Sequence, residues 1–139
     1  MPNSRIYHLV PVSQLRSGLT ESSYTPQRFA LDGFVHCTET PVTSVAVAND
    51  YFSDLNEPLA VLEIDPLGLS APLKFEAPAP LPGGDAHLKM ASLFPHVYGP
   101  IDLGAIQSVA LLLQRNQQYV WPSEFHPLIT FLERHLATE

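Results

Sequence analysis

The stretch Leu59-Ala60-Val61-Leu62-Glu63-Ile64 constrains this chain most. Five of its six residues are apolar and they do not alternate with polar ones, which predicts a strand buried on both faces. Asp65-Pro66 ends it. A strand of this kind needs cover above and below, so the flanking segments are read for what they can place around it.

Residues 6–10 read as a strand, with Ile6, His8 and Val10 on one face and Tyr7 and Leu9 on the other. Pro11 stops it, and residues 12–16 suit a short helix anchored by Leu15 and closed by Gly18. Residues 20–30 are polar and aromatic with Pro26 and predict a loop. Asp32-Gly33 signals a turn into a second strand over residues 34–38. Thr40-Pro41 opens a helix, threonine as N-cap and proline at the first helical position. Val42, Val45, Ala46, Asn49 and Phe52 follow its inner face at helical spacing. Residues 72–77 predict a strand with Leu73 and Phe75 inward. A Pro- and Gly-rich surface loop follows from Ala77 to Gly84, continuing to Ser92. Residues 93–97 and 108–114 complete the strands, with a turn-like segment between Pro100 and Gly104. Pro122-Ser123 caps a terminal helix over residues 122–137, striped by Phe125, Leu128, Ile129, Leu132 and Leu136, with Pro127 in its first turn.

These elements amount to about six short strands and two or three helices, without regular alternation. That favours an α+β fold with a mixed, mostly antiparallel curled sheet over a doubly wound parallel one. The length of 139 residues predicts one domain, residues 1–139. Fourteen prolines are about twice the usual share and predict many stiff loops. Seven Lys or Arg stand against fourteen Asp or Glu, with no basic cluster, so duplex nucleic acid is not an expected partner. Cys37 is the single cysteine, so no intramolecular disulfide forms, and no run reaches the roughly 18 apolar residues of a membrane span. Neither a signal peptide nor a membrane segment is read from the chain, and the expected location is the cytoplasm.

Three short stretches place a histidine among strand formers: Ile6-Tyr7-His8-Leu9-Val10, Gly33-Phe34-Val35-His36-Cys37-Thr38-Glu39 and Phe94-Pro95-His96-Val97-Tyr98-Gly99-Pro100. Singly, each histidine reads as a half-buried core residue; as a set they suggest a site if the stretches meet in space. Three imidazoles could bind zinc, but no local ligand motif is present and no metal is expected. Cys37 reads either as a nucleophile or, more commonly, as a small buried hydrophobe. As strand neighbours point to opposite faces, His36 is poorly placed to serve Cys37, and the base would be His8 or His96. His96 and Tyr98 share a strand face and suit a ribose or a nicotinamide-like ring. Arg28, in the loop before the central stretch, is the best phosphate contact. Glu39 is a base or the start of the helix cap. His126 and His135 are expected at the surface, and His87 in the irregular segment.

The motifs Ile6-Tyr7-His8-Leu9, Gly33-Phe34-Val35-His36-Cys37-Thr38, Leu62-Glu63-Ile64-Asp65 and Phe94-Pro95-His96-Val97-Tyr98-Gly99-Pro100-Ile101 together resemble the bacterial family catalogued as domain of unknown function nine-fifty-two. The likeness runs over about residues 5–115 in order and spacing, with the terminal helix as an extension. That family is similar to the ADP-ribosyltransferase fold, a split sheet cradling NAD. The resemblance implies that His8 holds the ribose and nicotinamide end of NAD and that His36-Cys37-Thr38 is the second-strand polar motif. Active transferases usually carry a late-strand glutamate or glutamine, where this chain has His96 and Tyr98. The related RNA 2′-phosphotransferases use arginines and histidines, but without a basic groove a small substrate is expected here. The resulting expectation is NAD as substrate, with His8, His36 and His96 catalytic and Arg28, Cys37, Thr38 and Tyr98 binding. Alternatives are a non-catalytic module for a nucleotide or other small metabolite, and a zinc hydrolase using the three histidines.

Overall fold

The Leu59–Ile64 strand sits where its composition requires, between two neighbours in a four-stranded sheet. The computed structural model describes residues 4–77 and 93–135. In chain order the elements are β1 (Ile6–Pro11), α1 (Val12–Gly18), β2 (Ser23–Tyr24), α2 (Phe29–Asp32), β3 (Val35–His36) and α3 (Pro41–Tyr51). They continue with β4 (Leu59–Ile64), β5 (Leu73–Glu76), β6 (Phe94–Val97), β7 (Ile101–Asp102), β8 (Ile106–Arg115), β9 (Gln118–Val120) and α4 (Leu128–His135). The strands form a four-stranded sheet β1-β4-β8-β9, a three-stranded sheet β3-β6-β5 and a β2-β7 pair. The fold is α+β with curled antiparallel sheets, and every strand pairing among the described residues is antiparallel.

β4 is flanked by β1 and β8, and Val61 and Leu62 face opposite sides without exposure on either. One face meets Ile6, Val10, Leu15, Val109 and Phe131; the other meets Leu9, Ala48, Leu112 and Tyr119. Full burial of each such aliphatic side chain contributes about 1.5–3 kcal/mol. The four-stranded sheet is thereby covered on both sides, as the unbroken apolar run demanded.

Several expectations are corrected. There are nine strands among the described residues, not six, because short pairs carry little hydrophobic signal. Ser23–Tyr24 lies within the expected loop and pairs with Ile101–Asp102. β8 is not the last strand: Asn116 and Gln117, both at positive φ (55° and 67°), turn it into β9. Two residues at positive φ match the right-handed twist of a tight hairpin. α3 begins as predicted, with the Thr40 side chain accepting from the Thr43 N–H. The expected Asn49 and Phe52 do face inward, Asn49 Oδ1 accepting from the Tyr119 N–H and Phe52 packing on the core, but the buried residues of the helix are Ser44 and Ala48. Val42 is 69% exposed. Small residues win this face because the helix lies close on β1 and the Ser44 hydroxyl reaches Thr38. Phe75, expected inward, is 44% exposed, since β5 is an edge strand. The terminal helix starts at Leu128 rather than at Pro122-Ser123. Before it, His126 exchanges backbone hydrogen bonds with Val109, which holds that segment extended. Phe131 is its buried anchor, within the main core, while Ile129 is exposed. The expected loop over residues 78–92, His87 and Leu136 lie outside the described residues.

Candidate functional site

The two larger sheets touch at one point. The N–H and C=O of Tyr7 on β1 exchange hydrogen bonds with those of Thr38, just beyond β3, at 2.8 and 2.7 Å. From there the strands part, and the gap holds a cavity of about 290 Å³. Its wall takes residues 7–11 from β1, residues 34 and 36–38 from around β3, Phe94 and His96 from β6, and Val47, Tyr51 and Phe52 from α3 and its end. Pro26, Gln27 and Arg28 contribute from the segment before α2.

Strand pairing explains why the histidines gather there. Cys37 N–H donates to the Pro95 carbonyl, which makes His36–His96 the intervening pair without mutual backbone bonds. Side chains in such pairs approach most closely, and the two imidazole centroids are 5.7 Å apart. The same alternation turns the His36 carbonyl away from β6 towards β1. There His8 Nδ1 donates to it at 2.7 Å, spanning the place where the strands diverge. His8 Nε2 lies 2.9 Å from the Tyr24 hydroxyl. Nδ1 carries the proton to meet a carbonyl, so Nε2 accepts from Tyr24. Burial pushes the His8 pKa down to about 4 and pushes the Tyr24 phenol up. His8 is therefore a neutral core histidine with both nitrogens engaged.

His36 and His96 differ from it, because each is backed by a carboxylate. His36 Nε2 lies 2.7 Å from Asp32 Oδ2, one helical turn upstream. Asp32 also accepts two hydrogen bonds from Arg28, at 3.0 and 3.1 Å. The Arg28 guanidinium and then the His36 imidazole hold the Asp32 carboxyl below its ordinary value. Burial lowers the His36 pKa, and Asp32 opposes that shift. His96 Nδ1 lies 2.8 Å from Glu76 Oε1, which also accepts from the Tyr98 hydroxyl at 2.5 Å. These two bonds, that from Tyr98 first, hold Glu76 below the usual carboxylate range. Phe34 stacks on His96 with centroids 4.1 Å apart and packs against His36 and Tyr98.

Six of the seven expected site residues line one cavity: His8, His36, His96, Arg28, Cys37 and Thr38. Tyr98 stands behind Phe34, with Lys74 Nζ 5.1 Å from its ring centroid, and is not among the lining residues. Burial raises the Cys37 thiol pKa strongly, and the side chain belongs to the apolar core. A thiol in that state is a hydrophobe rather than a nucleophile. Thr38 bonds Ser44, whose hydroxyl donates to the Thr40 carbonyl, and so ties α3 to the strand junction. Glu39 is exposed and outside the cavity. Among the described residues no group of three or more His, Cys, Asp or Glu is arranged to hold a metal ion. No helix among them is long and apolar enough to cross a membrane.

Sequence reasoning missed Asp32, Glu76 and Tyr24, which fix the three rings. Asp32 was legible in part, four residues before His36 at the end of a turn of helix. Glu76 reaches His96 through the pairing of β5 with β6, across 20 residues, and Tyr24 reaches His8 from the separate β2-β7 pair, across 16, through tertiary packing.

The crystal structure of protein CC0527 from Caulobacter crescentus is similar to this chain, with a TM-score of 0.64 and 20% sequence identity, covering 96% of this chain and 99% of that one. The solution NMR structure of CC0527 is similar with a TM-score of 0.58 and 22% identity, covering 97% and 98%. At these identities the likeness is one of fold. No curated protein matches this chain. The family model described as "Protein of unknown function (DUF952)" matches residues 9–109, which contain both carboxylate-backed histidines and begin one residue after His8. The chain belongs to this DUF952 family of proteins of unknown function.

Proposed function

We propose that the cavity binds a nucleotide of the NAD class by its ring-and-ribose end, and that His36 and His96 are the acid–base groups of an ADP-ribosyl-transfer-like reaction on a small acceptor. The observation that carries this reading is the pair of carboxylate-backed histidines on one cavity wall, Asp32–His36 and Glu76–His96. A carboxylate behind an imidazole orients the ring and stabilises its protonated form, as acid–base work requires.

Other features agree. A cavity of about 290 Å³ is at the small end of ligand sites, which run from about 300 Å³ upward. It suits a ring and sugar, with phosphates emerging past Arg28 on the rim. Leu9 has the same strand parity as Tyr7, so its backbone N–H and C=O turn to the gap, where a carboxamide could pair with them. Two antiparallel sheets joined at one bridge, with the cavity in the split, are consistent with an ADP-ribosyltransferase-like arrangement. In the reaction, the glycosidic C–N bond breaks with its electron pair passing to the nicotinamide nitrogen. The acceptor O–H bonds to the ribose carbon and gives its proton to His36 or His96. The protein supplies positioning and proton transfer, not a covalent intermediate.

A second reading, a non-catalytic nucleotide-binding module, is favoured by the absence of Asp and Glu from the described lining residues, since no carboxylate faces the oxocarbenium-like centre. Thermal-shift titration with NAD, ADP-ribose and nicotinamide tests binding. Ligand at a hundredfold excess over its Kd stabilises the fold by about 2.7 kcal/mol. Release of nicotinamide from NAD, lost in His36→Ala and His96→Ala, supports the enzyme. A shift without release leaves the binding module, and no shift with any of the three overturns both.

A further inference from the structure

The partners of His36 and His96 determine which ring nitrogen carries the proton. Asp32 is ionised and accepts, so neutral His36 holds its proton on Nε2 and its lone pair on Nδ1. Glu76 likewise accepts from His96 Nδ1, which puts the His96 lone pair on Nε2. Tyr98 donates to the same Glu76 oxygen and so cannot displace it from its accepting role. His8 is spent on the His36 carbonyl and Tyr24. Phe34, stacked on His96 and packed on His36, holds both rings in orientation.

We infer that the wall formed by His36 and His96 accepts hydrogen bonds and donates none in its neutral state, so that the site selects ligands presenting N–H or O–H donors, such as a primary amide or a cis-diol, over isosteres presenting acceptors alone. Asp32 and Glu76 are the positioning residues of this selectivity. A buried acceptor facing a ligand acceptor loses its hydrogen bond to water and gains none, a mismatch that discriminates far better than a missing methylene. The inference rests on the nucleotide reading for its choice of probes, and on the histidine partners for its substance.

The test has two arms. Nitrogen-15 NMR of the imidazoles in the unliganded protein should show His36 as the Nε2–H form and His96 as the Nδ1–H form. Glu76→Ala should release His96 towards the Nε2–H form, and Glu76→Gln, whose amide oxygen still accepts, should restore it. A merely structural Glu76 would leave the tautomer unmoved in both variants and would overturn the inference. In the second arm, nicotinamide should bind roughly tenfold or more tightly than nicotinate, and adenosine more tightly than its 2′,3′-di-O-methyl ether, which keeps both oxygens as acceptors and loses both donors. Equal binding within each pair overturns the inference. Expected tautomers with no binding by any probe overturn the nucleotide reading and support the accepting wall.

Discussion

The four-stranded and three-stranded sheets are built on opposite principles. In β1-β4-β8-β9 the strands are mostly long, and β4 and the Val109–Leu112 part of β8 are apolar on both faces. In β3-β6-β5 the strands have two to four residues, and the His36–His96 pair is held by stacking and by carboxylates from α2 and β5. Both histidines are in contact with the same Phe34 ring. One sheet carries stability through area removed from water; the other carries orientation through directional bonds. Removing an apolar group from the first costs free energy in proportion to what was buried, whereas removing a carboxylate from the second changes where a proton sits.

Leu62→Ala should produce the largest effect. Leu62 is fully buried on the central strand, and truncation there costs about 2–5 kcal/mol. Urea unfolding should show this, and a loss under 1 kcal/mol would sink the assignment of stability to this sheet. Acidification comes next. Burial lowers the folded pKa of His8 to about 4, below the ordinary histidine value of about 6.5, so the unfolded chain binds the proton more readily. The contribution is fully present above about pH 6.5 and is lost as pH falls towards 4; it is on the order of 3 kcal/mol. His36, with a lowered pKa, acts in the same direction over this range, whereas the lowered Asp32 adds stability that is lost only as pH falls below its ordinary value of 3.8. Urea midpoints at pH 7 and pH 4 should differ accordingly, and a His8 imidazole titrating near its ordinary value by NMR would contradict the buried Tyr24–His8–His36 chain.

Gly33→Ala should cost less, about 1 kcal/mol. Gly33 has φ of 79° with open space around it, so the penalty is backbone conformation alone. Since that turn leads into His36, ligand affinity should fall with it, whereas an unchanged midpoint would mean that the turn relaxes freely. Phe75→Ser, on the exposed edge of the three-stranded sheet, should change stability by no more than about 0.5 kcal/mol. A loss comparable with that of Leu62→Ala would erase the contrast between the sheets.

Much of the fold was legible because its signals are local. The apolar run of β4, the Thr40-Pro41 helix start, the Asp32-Gly33 turn and the alternation in β1 each depend on a few neighbouring residues. The strand pair Ser23–Tyr24 and Ile101–Asp102 was not legible, since two-residue strands exist only through their partner. The inner face of α3 was legible only in part: Asn49 and Phe52 face inward as their spacing implied, but apolar spacing also favoured Val42, where the close approach to β1 favoured Ser44 and Ala48. For the site, the three histidine stretches were visible as candidates. Their division into one core histidine and two carboxylate-backed ones was not.

The sequence by itself determined a doubly buried strand, the stops of β1 and β4, the start of α3, and the presence of three histidines among strand formers. Only the tertiary structure decided that β1 and β3 meet at Tyr7–Thr38 and then part, which opens the cavity. It also decided that Tyr24 silences His8 while Glu76 orients His96. The physical reason is range. Hydrophobic period and turn chemistry act between near neighbours, whereas proton position and access depend on atoms brought within 3 Å from distant parts of the chain.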